Sequence, residues 1–399
     1  MTSPALEPIR RALEAAGPAA AAEALVETLR ERGDYDRLFD ALLIRARVKL
    51  GVPTVKPTSF ADVPDDKQAA FEEAYLAAAR EVGKLLLDSG SLARAWAYFR
   101  TIREPQPVAD ALAAIDPTNL DYDRTNELIE IALHDGANRV AGLRILLASH
   151  GTCNTVTMTD QVLPMMTPDE RRQTAAMLVR DVYDALAANL KRDVESRLAG
   201  ITAPDSIQEL IADRGFLFEN ANYHIDVSHL HSTVRFARAL TPADPELALA
   251  IELAEYGSKL DRQFRYPADP PFDEYYEAHL AYLKAVADVD REASLGYFRD
   301  RLDKETDERD RQIIAYVLVD LLTRCEELNE AAKVAARHLA DLEEPGGFSF
   351  SSLCGKAGRI DLLRGAAEKA DDPVRYAAAV ITERGQGSGG GGQGKNADG

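Results

Sequence analysis

An all-α protein is predicted by two observations. Alanine, leucine, glutamate and arginine dominate while alternating β-branched runs are almost absent, and apolar residues recur at helical spacing between short Gly, Pro and Asp punctuation. The 46% hydrophobic content of 399 residues is ample for a continuous core. The net charge of −19 repels nucleic acid and anionic membrane surfaces, so neither is expected as a partner. Cys153, Cys325 and Cys354 are odd in number and far apart, which argues against a disulfide framework and points to a reducing cytoplasm. The Ala-rich N-terminus is interrupted by Glu14 and Glu23, unlike a signal peptide, and no uncharged apolar stretch approaches the roughly 20 residues of a membrane span.

Helices are expected over 5–16, 19–32 and 34–50, so that 1–51 forms an N-terminal helical segment. Residues 52–66, rich in proline, read as a linker, and a longer helix starts near Asp66. Within the helical stretch 67–150, the segment 76–109 carries Gly83 in a first helix, Gly90 at a turn, Ala95 and Phe99 in a second helix, and Pro107 beyond it. This register resembles a tetratricopeptide repeat, with the departure that Ala79 stands where the family usually carries Trp. The resemblance implies two helices brought close by Gly83 and Ala95, a gap filled by Phe99, and a second helix stopped by Pro107. Residues 318–339 read as a degenerate second unit with its turn at 326–329, and 25–50 as a third.

Residues 151–166 are Thr-rich and read as a long loop, a length at which connections tend to be functional. From 167 to 384 helices are expected near 167–199, 205–213, 227–240, 245–259, 272–289 and 291–304, with a second irregular loop over 262–273. The fold expected from these elements is an irregular tetratricopeptide-like α-solenoid of antiparallel helix pairs. The Gly-rich stretch 385–399 reads as a flexible tail.

One stretch concentrates coordinating groups. Residues 214–240 hold three of the seven histidines, with His224, Asp226, His229 and His231 inside eight positions. Asp226 is a good N-cap, and Val227, Leu230, Val234 and Ala237 repeat at helical spacing, so a helix is expected from Val227. At about 100° per residue, His229 and His231 diverge by roughly 200° and cannot aim at one ion. The geometry therefore selects His224, Asp226 and His229 as metal ligands, with His150 or His279 completing the shell around a divalent transition metal, and leaves His231 on the flank beside Arg235 and Arg238. The ordinary alternative is that Asp226 only caps the helix while the histidines pack and hydrogen-bond.

Two further arrangements are weighed. Cys153 in its Gly-Thr-Cys-Asn context is a candidate nucleophile if His224 serves as base and Asp226 orients it. Tyr275, His279 and Tyr282 share one helix face at i, i+4, i+7, a pattern whose common meaning is interhelix packing. No phosphate-cradling Gly loop, nucleophile elbow or dinucleotide fingerprint occurs. The function expected is a protein–protein interaction scaffold for a protein or peptide partner, basic in view of the acidic chain; a helical metalloprotein is the alternative.

Overall fold

The computed structural model describes residues 6–198, 200, 202–341 and 348–387. Among them every regular element is a helix and no strand occurs. No helix in the described residues is long and apolar enough to cross a membrane. The chain divides into two units, 1–166 and 167–399.

In unit 1, α1 (Glu7–Glu31) bends at Gly17, whose φ of 81° only glycine adopts freely. Pro18 follows, which is why two helices are legible in the sequence at this point. Asp34 caps α2 (Tyr35–Leu50) through the Arg37 N–H, and Gly51 ends it in the left-handed region. Residues 52–64 are no free linker, because Arg47, fully buried in the last turns of α2, reaches into them. Its Nε donates to the Pro57 carbonyl at 2.8 Å, Nη1 to the Pro53 carbonyl at 2.5 Å, and Nη2 to the Ser59 carbonyl and to Asp62. Val52 and Val63 are buried at the two ends of the loop, so the proline-rich segment packs as part of unit 1.

The pair α3 (Asp65–Asp88) and α4 (Leu92–Thr101) has the spacing that the repeat resemblance implies. A Cβ at Gly83 would stand 2.7 Å from the Phe99 ring, so only glycine admits this approach. Ala95 and Phe99 are buried beside it, and Gly90 turns the chain at φ 77°. Pro107 departs from the expectation. α4 already stops at Thr101, after which Arg103 takes φ 58°, and Pro107 sits in the first turn of α5 (Gln106–Ala113). A proline costs nothing there because the first N–H groups of a helix lack intrahelical acceptors.

Then α6 (Tyr122–Ile129) runs into a π-helical turn at Glu130–His134. Helix α7 (Arg139–Val162) follows. The Thr-rich loop expected over 151–166 is a correction: apart from a kink at Gly151, residues up to Val162 are helical, and a 3₁₀ turn covers Leu163–Met165. The hydroxyls of Thr155, Thr157 and Thr159 each donate to the carbonyl four residues back, at 3.0, 3.0 and 2.7 Å. That back-bonding lets threonine stay in a helix, and Thr155, Val156, Thr159 and Val162 form its buried face. Consecutive helices of unit 1 pack on one another from α1 to α5, and α7 lies against α5 and α6.

Unit 2 opens with α8 (Pro168–Arg197), started by a capping box between Thr167 and Glu170. Against α8 pack α9 (Ile207–Ile211), α10 (Val227–Phe236) and α11 (Glu246–Ser258). After these come α12 (Tyr275–Val286), α13 (Arg291–Lys304), α14 (Glu308–Arg324), α15 (Leu328–His338), α16 (Phe350–Lys356), α17 (Ile360–Lys369) and α18 (Pro373–Gly387). From α11 onward each packs on the next in sequence, the pattern of a helical repeat. The turn expected at 326–329 falls slightly earlier: α14 ends at Arg324 and α15 starts at Leu328, with Glu326 at φ 64° between them. In the irregular segment 262–273, Arg265 donates to the Ser258 carbonyl at 2.5 Å and pairs with Glu277 at 2.7 Å. Of the tail expected over 385–399, residues 385–387 instead continue α18, and from residue 388 it lies outside the described residues.

The Gly83 contact yields a test. In an isolated helix Gly→Ala stabilises by about 1 kcal/mol, but here the new methyl meets Phe99. Gly83→Ala is expected to destabilise by about 1–3 kcal/mol, and most of that loss should vanish in a Phe99→Leu background. A urea-unfolding double-mutant cycle measures it; additive effects would separate the two residues.

Candidate functional site

The histidine stretch begins, as its pattern predicts, with Asp226 capping α10. Asp226 Oδ1 accepts the N–H and the hydroxyl of Ser228 at 2.8 and 2.6 Å and the N–H of His229 at 3.4 Å. The Ser228 hydroxyl and these amides hold its carboxyl below the usual carboxylate range, against the effect of partial burial.

His224 turns elsewhere. Its side chain is 6% exposed and wedged between α8 and α11. Nε2 lies 3.1 Å from Asp193 Oδ2 and Nδ1 3.1 Å from the Tyr256 hydroxyl, which also accepts the His224 N–H at 2.9 Å. One proton arrangement satisfies all three contacts: Tyr256 donates to Nδ1, and Nε2–H donates to Asp193. Burial would raise the Asp193 carboxyl, but hydrogen bonds from Arg197 and His224 outweigh it and lower it. The carboxylate that orients His224 is therefore Asp193, 31 residues upstream, and the expected partner Asp226 is spent on the cap.

His229 leaves Nε2 buried without a partner, while His231 is not a flank residue. Its ring stacks on Tyr275 with centroids 3.7 Å apart and planes 17° from parallel, and meets Tyr266 edge-on at 4.8 Å. The helix does turn it from His229, as the spacing requires, but toward α12. The Tyr275 hydroxyl donates to the His231 carbonyl at 2.6 Å. On α12, His279 is 1% exposed, lies between Phe272 and Tyr275 with centroids 4.3 and 4.2 Å away, and shares Nδ1 with the Tyr275 carbonyl at 2.7 Å. Burial first, and the Arg238 charge second, push its pKa down to about 3. The stripe Tyr275, His279, Tyr282 is thus interhelix packing.

The expected ligand set is not brought together. Among the described residues no group of three or more His, Cys, Asp or Glu side chains is placed to hold a metal ion. His150 belongs to unit 1, where it is exposed and its Nδ1 lies 2.7 Å from the Ser149 hydroxyl. Cys153 is exposed in the same unit, while both ring nitrogens of His224 are engaged with Tyr256 and Asp193 inside unit 2. Burial raises the Cys325 thiol and pushes Cys354 up to about 11, which keeps both as inert thiols.

A different concavity lies in unit 1. A cavity of about 120 Å³ is lined by Phe39, Tyr75, Ala79, Ala97, Tyr98 and Thr101, from α2, α3 and α4. Phe39 meets Tyr75 and Tyr98 edge-on, each at 5.2 Å between centroids, with planes 86° and 68° apart. Burial, then the Asp36 charge, push the Tyr98 phenol up to about 12. Asp36 Oδ1 lies 3.4 Å from the Tyr98 hydroxyl, and Arg94 pairs with its other oxygen at 2.9 Å. One turn on, Asp40 has no ion pair or hydrogen bond among the described residues, and burial raises its carboxyl. The signal in the sequence was Ala79: where the repeat resemblance implies a Trp, the alanine leaves this space open.

Two measurements check these assignments. Asp226→Ala is expected to cost about 0.5–2 kcal/mol and Asp226→Asn or Ser only a fraction of that; equal losses in denaturant unfolding would rule out a simple cap. The His279 ring, depressed from 6.5 to about 3, stabilises fully above pH ~6.5 and progressively less as pH falls toward 3, because the unfolded chain takes up the proton that the folded chain refuses. Between pH 7 and 4.5 the wild type should lose roughly 2 kcal/mol more than His279→Leu; parallel losses would show the ring to be solvated. Comparison of the chain with protein-family models, with curated proteins and with solved structures yields no match in any of the three.

Proposed function

We propose that this protein is a helical-repeat interaction scaffold of tetratricopeptide-like architecture, working in the cytoplasm, and that α2–α4 receive a basic segment of a protein partner. The observation that carries this reading is the aromatic cavity at Phe39, Tyr75 and Tyr98, set between successive helices, with the charges of Asp36 and Asp40 acting on Tyr98. Stacked helix pairs present such surfaces side by side, and aromatic rings give contact area at low entropic cost. The net charge of −19 adds long-range attraction for a cationic segment and speeds its encounter.

Selection of a random-peptide display library against the full chain is the test. Lysine- and arginine-rich sequences are expected to be enriched at low salt and to weaken at higher salt. Enrichment of neutral or acidic sequences, or of none, would count against a scaffold for basic partners.

A further inference from the structure

We infer that the cavity between α2, α3 and α4 is a cage for one lysine ammonium group of the partner segment, with Phe39, Tyr75 and Tyr98 as its walls and Asp40 as its counter-charge. This rests on the scaffold reading and names the chemistry of its central contact. Phe39 of α2 meets the rings of Tyr75 of α3 and Tyr98 of α4 edge-on, and all three line a space of about 120 Å³. The faces of such rings carry negative charge and attract a desolvated cation. The floor and mouth are small: Ala79 is buried below, while Ala97 and Thr101 are exposed at the rim. They leave a slot for an unbranched alkyl stem, which suits lysine better than the planar fork of arginine.

The acidic groups complete the fit. Asp36 is already held by Arg94 and Tyr98. Asp40, one turn on along the same helix face and exposed, acts on Tyr98 electrostatically and has no cation or donor among the described residues. An exposed carboxylate beside Tyr98 is free to pair with an ammonium group that enters between the rings.

The experiment is calorimetric titration of the full chain with a blocked octapeptide alternating glycine and lysine, and with the same peptide carrying norleucine for lysine. The lysine peptide is expected to bind and the norleucine peptide not. Asp40→Asn and Tyr98→Leu should each weaken binding about 3- to 30-fold. Ala97→Leu, a substitution at an exposed helix position that plugs the mouth, should do the same with helicity unchanged by circular dichroism. Asp300→Asn, exposed on α13 of the other unit, should leave affinity within twofold. Equal binding of both peptides overturns the cage, and so does absence of lysine-peptide binding. If the lysine peptide binds but every cage variant behaves as wild type, or Asp300→Asn weakens it as much as Asp40→Asn, attraction is diffuse: the cage falls while the scaffold for basic partners stands.

Discussion

The guanidinium of Arg47 is the interaction on which unit 1 depends. Residues 52–64 have no helix or sheet to satisfy their carbonyls, and a buried unpaired carbonyl costs about 1–3 kcal/mol. Arg47, itself fully buried, meets three of them, from Pro53, Pro57 and Ser59, and adds Asp62. Its hydrogen bond, and after that its charge, hold the Asp62 carboxyl below the usual carboxylate range. The plane of the group lies over the Phe71 ring at 4.6 Å, so both its edges and its face are occupied. Lysine has neither the fork nor the flat face for this task. What Arg47 fixes is the loop, and the loop carries Phe60 against Phe71 and Tyr75, with centroids 4.9 and 5.7 Å away. Tyr75 is a wall of the aromatic cavity, so the charge buried at the end of α2 supports the surface proposed to bind.

Unit 2 uses its polar aromatic residues for internal bracing. Tyr256, His224 and Asp193 connect α11 to α8 through the loop before α10. Tyr275 bonds α12 to α10 at the His231 carbonyl, and Tyr282 donates to Asp320 at 2.6 Å, connecting α12 to α14. Arg324 joins that network through the Tyr282 hydroxyl and the carbonyls of Arg238 and Ala239. Satisfied networks of this kind are strengthened by low local dielectric and fix which helix faces meet. Gly257 adds a steric condition, since a Cβ there would collide with the Tyr276 ring. The density of histidine in residues 214–240 therefore reflects how many helices converge there. The same side chains would have suited a metal, but His224 is bonded to α8 and α11, Asp226 to the first turn of α10, and His231 stacks on α12.

The contrast between the units bears on function. In unit 2 the aromatic and acidic groups named above are paired with one another across helices. In unit 1 Phe39, Tyr75 and Tyr98 leave an open space, and Asp40 beside them has no partner among the described residues. A rigid concavity with unpaired charge needs little reorganisation to bind. The backbone around it is fixed by the Gly83–Phe99 approach and by the Arg47 bonds, which keeps the rings in place.

The sequence by itself determined most of the helices, because helix formation is local: the period of apolar residues, Asp34 and Asp226 at N-termini, and Gly17, Gly51 and Gly90 at breaks all act within a few residues of the chain. It also determined the Gly83–Phe99 packing, whose partners are sixteen positions apart across a single turn. It misjudged 151–162, where threonine reads as loop but its hydroxyl bonds to the helix's own carbonyls, and it placed Pro107 at the end of a helix although proline is equally at home at a start. Only the tertiary structure decided what the charged and aromatic side chains do. Asp193 reaches His224 from 31 residues away, His231 stacks on Tyr275 from the next helix but one, and Phe39, Tyr75 and Tyr98 meet from three helices. Side-chain partners are chosen by which helix faces pack together, and no periodicity within one helix encodes the face of another.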